Sequence, residues 1–217
     1  MNDTFFDPHQ RATVAAAMAR MIPTDDTPGA AEAGTIDFLD RYLSGPAHIY
    51  ANPDGVGFEV LTGRRLWAWT QRLEVVRSRY VAGVLALDAA AQRRGGRFVD
   101  LDDDAQDEVL REVERPVGRE QEADAARAKV ALYGAPVEAA LQQTSAEVDL
   151  GFVPLLALHT RQGFYADPVY GGNRDHVGWK VIGFPGPASL AEVHQGRYTT
   201  IDYFAEDLTH PGTEGLS

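Results

Sequence analysis

Asn173, Arg174, Asp175 and His176 stand in a row in the stretch G-G-N-R-D-H, and they are the residue types in this chain best suited to chemistry. Arginine offers a planar fork of five donors that matches a carboxylate, Asp175 is an acceptor, and Asn173 can hold a backbone turn. As a catalytic group, Arg174 would clamp an oxyanion or carboxylate while Asp175 or His176 served as base. As a structural group, Arg174 and Asp175 would pin a loop through hydrogen bonds to backbone, or meet a partner. Pinning or partner contact is favoured, because aromatics and arginine set among glycines are what hot spots of protein interfaces look like.

The stretch that must position these residues runs from His159 to Pro187. Between Ala166 and Gly186 it holds five glycines, two prolines and the large aromatics Tyr170, Trp179 and Phe184. Neither helical nor strand periodicity survives so many breakers. A polar linker would have the glycines without the aromatics, so a fixed, packed loop is expected, and long ordered loops are usually functional. Tyr165, Tyr170, Asn173, Arg174, Asp175, Trp179 and Phe184 are the candidate partner-facing residues, on the expectation that the loop side chains stand clear of the helical core.

Other chemistries find little support. The histidines are His9, His48, His159, His176, His194 and His210; no pair has the i, i+4 spacing of a helical zinc site, and there is no H-E-x-x-H. There is no G-x-S-x-G, and Ser44, Ser78, Ser145 and Ser189 sit near expected helices or their ends, where capping is the usual role. Gly171-Gly172 follows no strand and opens no helix, so neither a dinucleotide nor a P-loop fingerprint is present. The chain is therefore expected to bind no FAD of its own. With no cysteine, disulfides, thiolate catalysis, Cys-ligated zinc and iron–sulfur clusters are all excluded.

The 217 residues, 44% hydrophobic and 24% charged, are enough for a substantial core and are read as one domain, 1–217. A formal net charge of −12 argues against nucleic acid and against electrostatic attachment to anionic lipid. Asp100 to Glu114 alone carries eight carboxylates against one arginine, read as a solvated helix face rather than a cation site. No apolar run approaches the roughly 20 residues needed to cross a bilayer, so no direct membrane insertion is expected.

Helical periodicity accounts for most of what remains. Asp7-Pro8 reads as an N-cap followed by proline at N1, and Val14, Met18, Met21 and Ile22 mark a helix ending before Pro23. A second helix is expected from near Ala30, with Ile36, Leu39, Tyr42 and Leu43 on one face and Gly45-Pro46 at its end. His48 to Gly63 is a turn-rich excursion. Leu66, Trp69, Leu73, Val76, Tyr80, Val84, Leu87 and Ala91 then form the buried stripe of a long helix stopped by Gly95-Gly96; core packing is favoured for its tryptophan over a cofactor slot. Asp102 or Asp103 caps the next helix, which buries Val109, Leu110 and Val113. Further helices are expected over Glu120–Tyr133, Val137–Gln143, Val148–Arg161 with a kink or a fresh start at Val153, Ser189–His194 and Ile201–Leu208, before a frayed tail from His210. Nothing alternates with period two. The expected fold is mainly α, an irregular helical domain with long ordered loops rich in glycine, proline and aromatics.

The run G-F-Y-A-D-P-V-Y-G-G-N-R-D from Gly163, followed by V-G-W-K-V-I-G-F-P-G from Val177, resembles the signature of the gluconate 2-dehydrogenase subunit 3 family. Weaker similarity covers Met21–Arg41 and Arg79–Ala91. The resemblance implies a non-catalytic small (gamma) subunit that binds, stabilises and assists the maturation of an FAD-dependent oxidoreductase of the glucose–methanol–choline (GMC) type. That partner would carry the FAD and oxidise a sugar, sugar acid or glycoside. A c-type cytochrome subunit often accepts the electrons in such complexes; this chain has no C-x-x-C-H and is not that subunit. In some exported relatives a small-subunit cysteine bonds to the catalytic subunit, which cannot happen here. Exported members usually carry a twin-arginine signal on this subunit; Met1 to Met21 shows none, which favours the cytoplasm, or the periplasm if the chain is a processed form. A stand-alone enzyme using Arg174, Asp175 and His176, and a transient chaperone for flavoprotein folding, remain the alternatives.

Overall fold

A computed structural model of the chain describes residues 4–114 and 147–198. Within them the fold is mainly α, as expected, with no strand among the described residues beyond an isolated bridge between Ala51 and Phe58. The helices expected over Glu120–Tyr133, Val137–Gln143 and Ile201–Leu208, and the tail from His210, lie outside the described residues.

Helix α1, Pro8–Met21, starts as its sequence dictates: the Asp7 side chain accepts from the Gln10 amide, and the Gln10 side chain returns the bond to the Asp7 backbone. Helix α2 is Thr35–Ser44 and begins five residues later than expected. Gly34 adopts left-handed φ of 67° and breaks the run, so residues 30–34 form turns. Helix α3, Gly63–Gln92, is the longest element. Its buried stripe of Leu73, Val76, Tyr80, Val84, Leu87 and Ala91 matches expectation, but Leu66 and Trp69 do not join it. The first two turns of α3 project past the core, leaving Leu66 exposed and Trp69 half-buried at the surface.

Helix α4, Asp103–Glu114, is capped by Asp102, whose carboxylate accepts from the Ala105 amide at 2.9 Å. Helix α5, Phe152–Tyr165, starts at Phe152, which puts Pro154 in the first turn where no backbone donor is needed. It then runs through Arg161 to Tyr165, so the first residues of the glycine-rich stretch are helical rather than loop.

Helix α2 packs along α5 and α3 along α4, with α1 against each of these four. Their shared core contains Val14, Met18, Leu39, Leu43, Leu87 and Leu156, all essentially free of solvent. Each such side chain contributes about 1.5–3 kcal/mol by burial. Gly83 of α3 lets α5 approach: a Cβ there would fall on the Phe152 ring. At the amino end, buried Asp40 accepts from the Phe5 and Phe6 amides at 2.8 and 3.0 Å and pairs with Arg11 at 2.9 Å.

Candidate partner-facing site

After Tyr165 the chain doubles back in two 3-10 turns, Pro168–Tyr170 and Arg174–His176, then a short helix, α6, Val177–Val181. Asp167 opens the first turn by accepting from the Val169 amide at 2.9 Å, and Arg41 of α2 donates to the Val169 carbonyl at 3.0 Å. Gly172 then lies flat against Gly163, with a missing Cβ that would sit on the Gly163 carbonyl oxygen. That close approach is what the glycine is for. It lets the Asn173 amide donate to the Gly163 carbonyl at 2.8 Å.

Asn173 is fully buried and holds the loop from inside. Its Nδ2 donates to the Ala166 carbonyl at 2.9 Å, and its Oδ1 accepts from the Gly178 amide at 2.8 Å. Its φ of 47° is left-handed, a conformation asparagine tolerates better than most side chains. Asp175 and His176, at φ of 55° and 59°, are left-handed as well. Backbone of this kind persists only where its surroundings over-determine it. Here the Arg174 amide supplies one more tether, donating to the Ala33 carbonyl at 3.0 Å.

Trp179 does not stand clear of the core as expected. It is 5% exposed, its indole N–H donates to the Tyr165 carbonyl at 2.8 Å, and its ring meets the edge of Phe184 at 5.3 Å. Gly186, at φ of 63°, passes over that ring so closely that a Cβ would collide with it. Tyr170 is half-buried, its hydroxyl accepting from the Ala51 amide at 3.3 Å and its ring against Phe58. Phe184 is half-buried too. Facing outward are Tyr165, 40% exposed, with Arg174 and Asp175. Arg174 spends one end of its fork on Asp37 at 2.7 Å, and Asp37 also pairs with Arg11. Arg174, Asp175 and His176 are all exposed and line none of the described clefts, so the structure does not gather them into a catalytic pocket.

Two outward residues were missed by sequence reasoning, Val181 and Ile182, the latter 54% exposed. No periodicity announced them, because the burial of Trp179 that turns Val181 outward is itself set by tertiary packing. Once Trp179 is buried on a short helix, the residue two further on points to the opposite side.

Beside the loop, between α2, the start of α3 and the end of α5, lies an open cleft of about 810 Å³ walled by Phe38, Tyr42, Tyr50, Trp69, Tyr165 and Tyr170. Its rings pack edge to face, Tyr50 on Trp69 at 5.8 Å and Trp69 on Tyr42 at 6.4 Å. Buried Glu147 lies in its floor and is met by three side chains. Tyr42 donates its hydroxyl at 2.9 Å, His159 Nε2 approaches at 2.7 Å, and Arg72 forms an ion pair. A carboxylate only accepts, so His159 Nε2 carries the proton; in the neutral ring Nδ1 then accepts from the Tyr80 hydroxyl 2.8 Å away. Burial pushes the Glu147 carboxyl up, but His159 and Arg72 outweigh it and hold the group below its usual range. Burial, followed by the Glu147 charge, drives the Tyr42 and Tyr80 hydroxyls well above theirs. Both phenols stay protonated, and His159 and Tyr80 have no exposed surface. The network is thus a sealed floor for the cleft rather than a substrate site.

Among the described residues no group of three or more histidine, cysteine, aspartate or glutamate side chains is placed to hold a metal, and no helix is long and apolar enough to cross a membrane. Of the buried polar residues, Asn173 holds the glycine-rich loop, Asp40 the amino end, and Glu147 with His159 the floor of the cleft, so the fold and site define a helical protein with one pinned aromatic loop. The chain belongs to the gluconate 2-dehydrogenase subunit 3 family, whose model matches residues 8–186. No curated protein and no solved structure matches. Family membership makes the chain a subunit-type protein of a dehydrogenase complex.

Proposed function

We propose that this chain is the non-catalytic small subunit of an FAD-dependent oxidoreductase of the GMC type. It holds and stabilises the flavin-bearing catalytic subunit, which oxidises a sugar, sugar acid or glycoside hydroxyl. The observation that carries this reading is the pinned loop: Asn173 and Trp179 are spent on rigidity while Tyr165, Arg174, Asp175, Val181 and Ile182 face outward. Rigid presentation lowers the ordering cost of binding, and exposed aromatic and aliphatic side chains gain most from being covered. FAD belongs to the partner, and this chain alone binds none.

The test is co-expression with a candidate GMC-type flavoprotein from the same genome, followed by purification through a tag on this chain. A permanent one-to-one complex carrying all of the flavin is the expected result. Flavin bound stoichiometrically by the chain alone, or no flavoprotein retained, would overturn the reading; retention only before flavin loading would make the chain a chaperone instead.

A further inference from the structure

We infer that the aromatic cleft between α2, α3 and α5 is a docking groove for an extended, uncharged segment of the partner subunit, anchored by an aromatic, aliphatic or proline side chain. The inference rests on the subunit reading above and goes further by assigning the groove and the chemistry of what fills it.

The first argument is charge. The ionic groups at the cleft are cancelled within the chain: Arg72 pairs with Glu147 in the floor, and Arg65 pairs with Glu59 at 2.7 Å on the rim. Both cations also lie over aromatic faces, Arg72 over Trp69 at 4.6 Å and Arg65 over Tyr50 at 5.0 Å. Among the described lining residues the cleft offers an ion no arginine, lysine or carboxylate that is not already engaged in an ion pair. A charged occupant would lose its hydration and gain no partner. The matching occupant is neutral.

The second argument is shape and polarity. The cleft is walled by flat rings and open to solvent, so it suits a length of chain laid into it better than an enclosed metabolite. The Gln162 side-chain amide and the Tyr165 hydroxyl stand at its mouth without a hydrogen bond to another described residue, ready to meet the backbone of an extended segment, which has no internal hydrogen bonds of its own. Aromatic-lined grooves with such polar edges are a recurrent mode of binding extended peptides.

The third argument is continuity. Tyr165 and Tyr170 of the glycine-rich loop form one wall, so the groove and the loop's outward face are one surface. On the far side, the projecting turns of α3 and the loop before them expose Val60, Leu66 and Trp67, the last at 68%. Apolar exposure of this kind beside a groove marks an interaction site.

The experiment uses the full chain with its co-expressed flavoprotein. Tyr165→Ala and Gln162→Ala alter exposed side chains at the mouth and are expected to leave the Tm of this chain unchanged. Together they should weaken the flavoprotein complex by about tenfold or more, whereas Leu85→Ala, exposed further along α3, should not. A photo-crosslinking p-benzoyl-phenylalanine in place of Tyr165 should attach to a flavoprotein segment free of Asp, Glu, Lys and Arg. An unchanged Kd for the double variant, an equal loss from Leu85→Ala, or crosslinking to a charged segment would overturn the groove assignment while leaving the subunit reading intact. If the unaltered chain retains no flavoprotein, both fail together.

Discussion

The indole N–H of Trp179 donates to the backbone carbonyl of Tyr165 at 2.8 Å, joining a buried aromatic of the glycine-rich stretch to one of its most exposed. The bond uses the Tyr165 backbone, while its ring meets the edge of Phe164 at 4.9 Å and lines the cleft. Trp179 thereby sets where the tyrosine ring can be, while the ring itself does little for the fold.

The two residues should therefore separate stability from binding. Removing a buried tryptophan costs about 3–5 kcal/mol, and Trp179→Ala should destabilise the isolated chain by that order in urea unfolding. Tyr165→Ala, at an exposed position, should stay within about 0.5 kcal/mol. Equal melting shifts in the two variants would show that Tyr165 is a packing residue after all.

Asn173 makes a sharper case, because three separate demands meet in one side chain. Asn173→Ala leaves the buried Gly178 amide and the Ala166 carbonyl without partners and puts alanine at a φ of 47°. With about 1–3 kcal/mol for each stranded group, a loss of about 2–4 kcal/mol is expected. Asn173→Asp keeps the acceptor for Gly178 and should fall between the two. Gly172→Ala should be at least as damaging as Asn173→Ala, since its Cβ lands on backbone that cannot move aside. Thermal melts of the three variants check the order.

These residues also show where sequence reasoning reached and where it stopped. The Asp7 capping box, the α3 stripe from Leu73 to Ala91 and the restart of α5 near Pro154 were legible, because each is set by neighbours within a few positions. So was the ordered character of the loop. The late start of α2 was not, because it turns on one left-handed glycine, Gly34, that packs under Arg174 from the far end of the chain. Glu147, His159 and Tyr80 carry no shared motif at all; their meeting is a property of helix packing. The burial of Trp179 followed the same pattern: its cover comes from Gly186 and Phe184, and no periodicity connects them.

Arg174 and Asp37 form an exposed ion pair at 2.7 Å, and pairs of that kind are worth about 0–1 kcal/mol. Arg174→Ala should thus leave the melting curve of the isolated chain nearly unchanged. If the outward face of the loop meets the partner, the same variant should weaken the complex about tenfold or more, since arginine is among the residues that most often dominate interfaces. Calorimetry on the chain and a binding titration on the complex decide it. A melting loss with unchanged affinity would confine Arg174 to holding the loop against α2.

Glu147 supplies the last prediction, which concerns acid. Its carboxyl titrates below the usual glutamate range in the folded chain because His159 and Arg72 outweigh the effect of burial. A depressed folded pKa means that the stabilisation is complete above the unfolded value, about 4.3 for glutamate. It is then lost as pH falls through the lower, folded value. Glu147→Gln removes the charge at every pH and weakens the charged contact with half-buried Arg72, so at neutral pH it should cost about 1.5–3 kcal/mol. As pH falls through that lower, folded value the native carboxyl also becomes neutral, and the gap between the two proteins should close from the native side. Denaturant titrations of both proteins from neutral to acid pH measure the gap directly. A difference that stays constant across that range would mean the loss at position 147 is one of shape and hydrogen bonding, with the ion pair to Arg72 contributing nothing net.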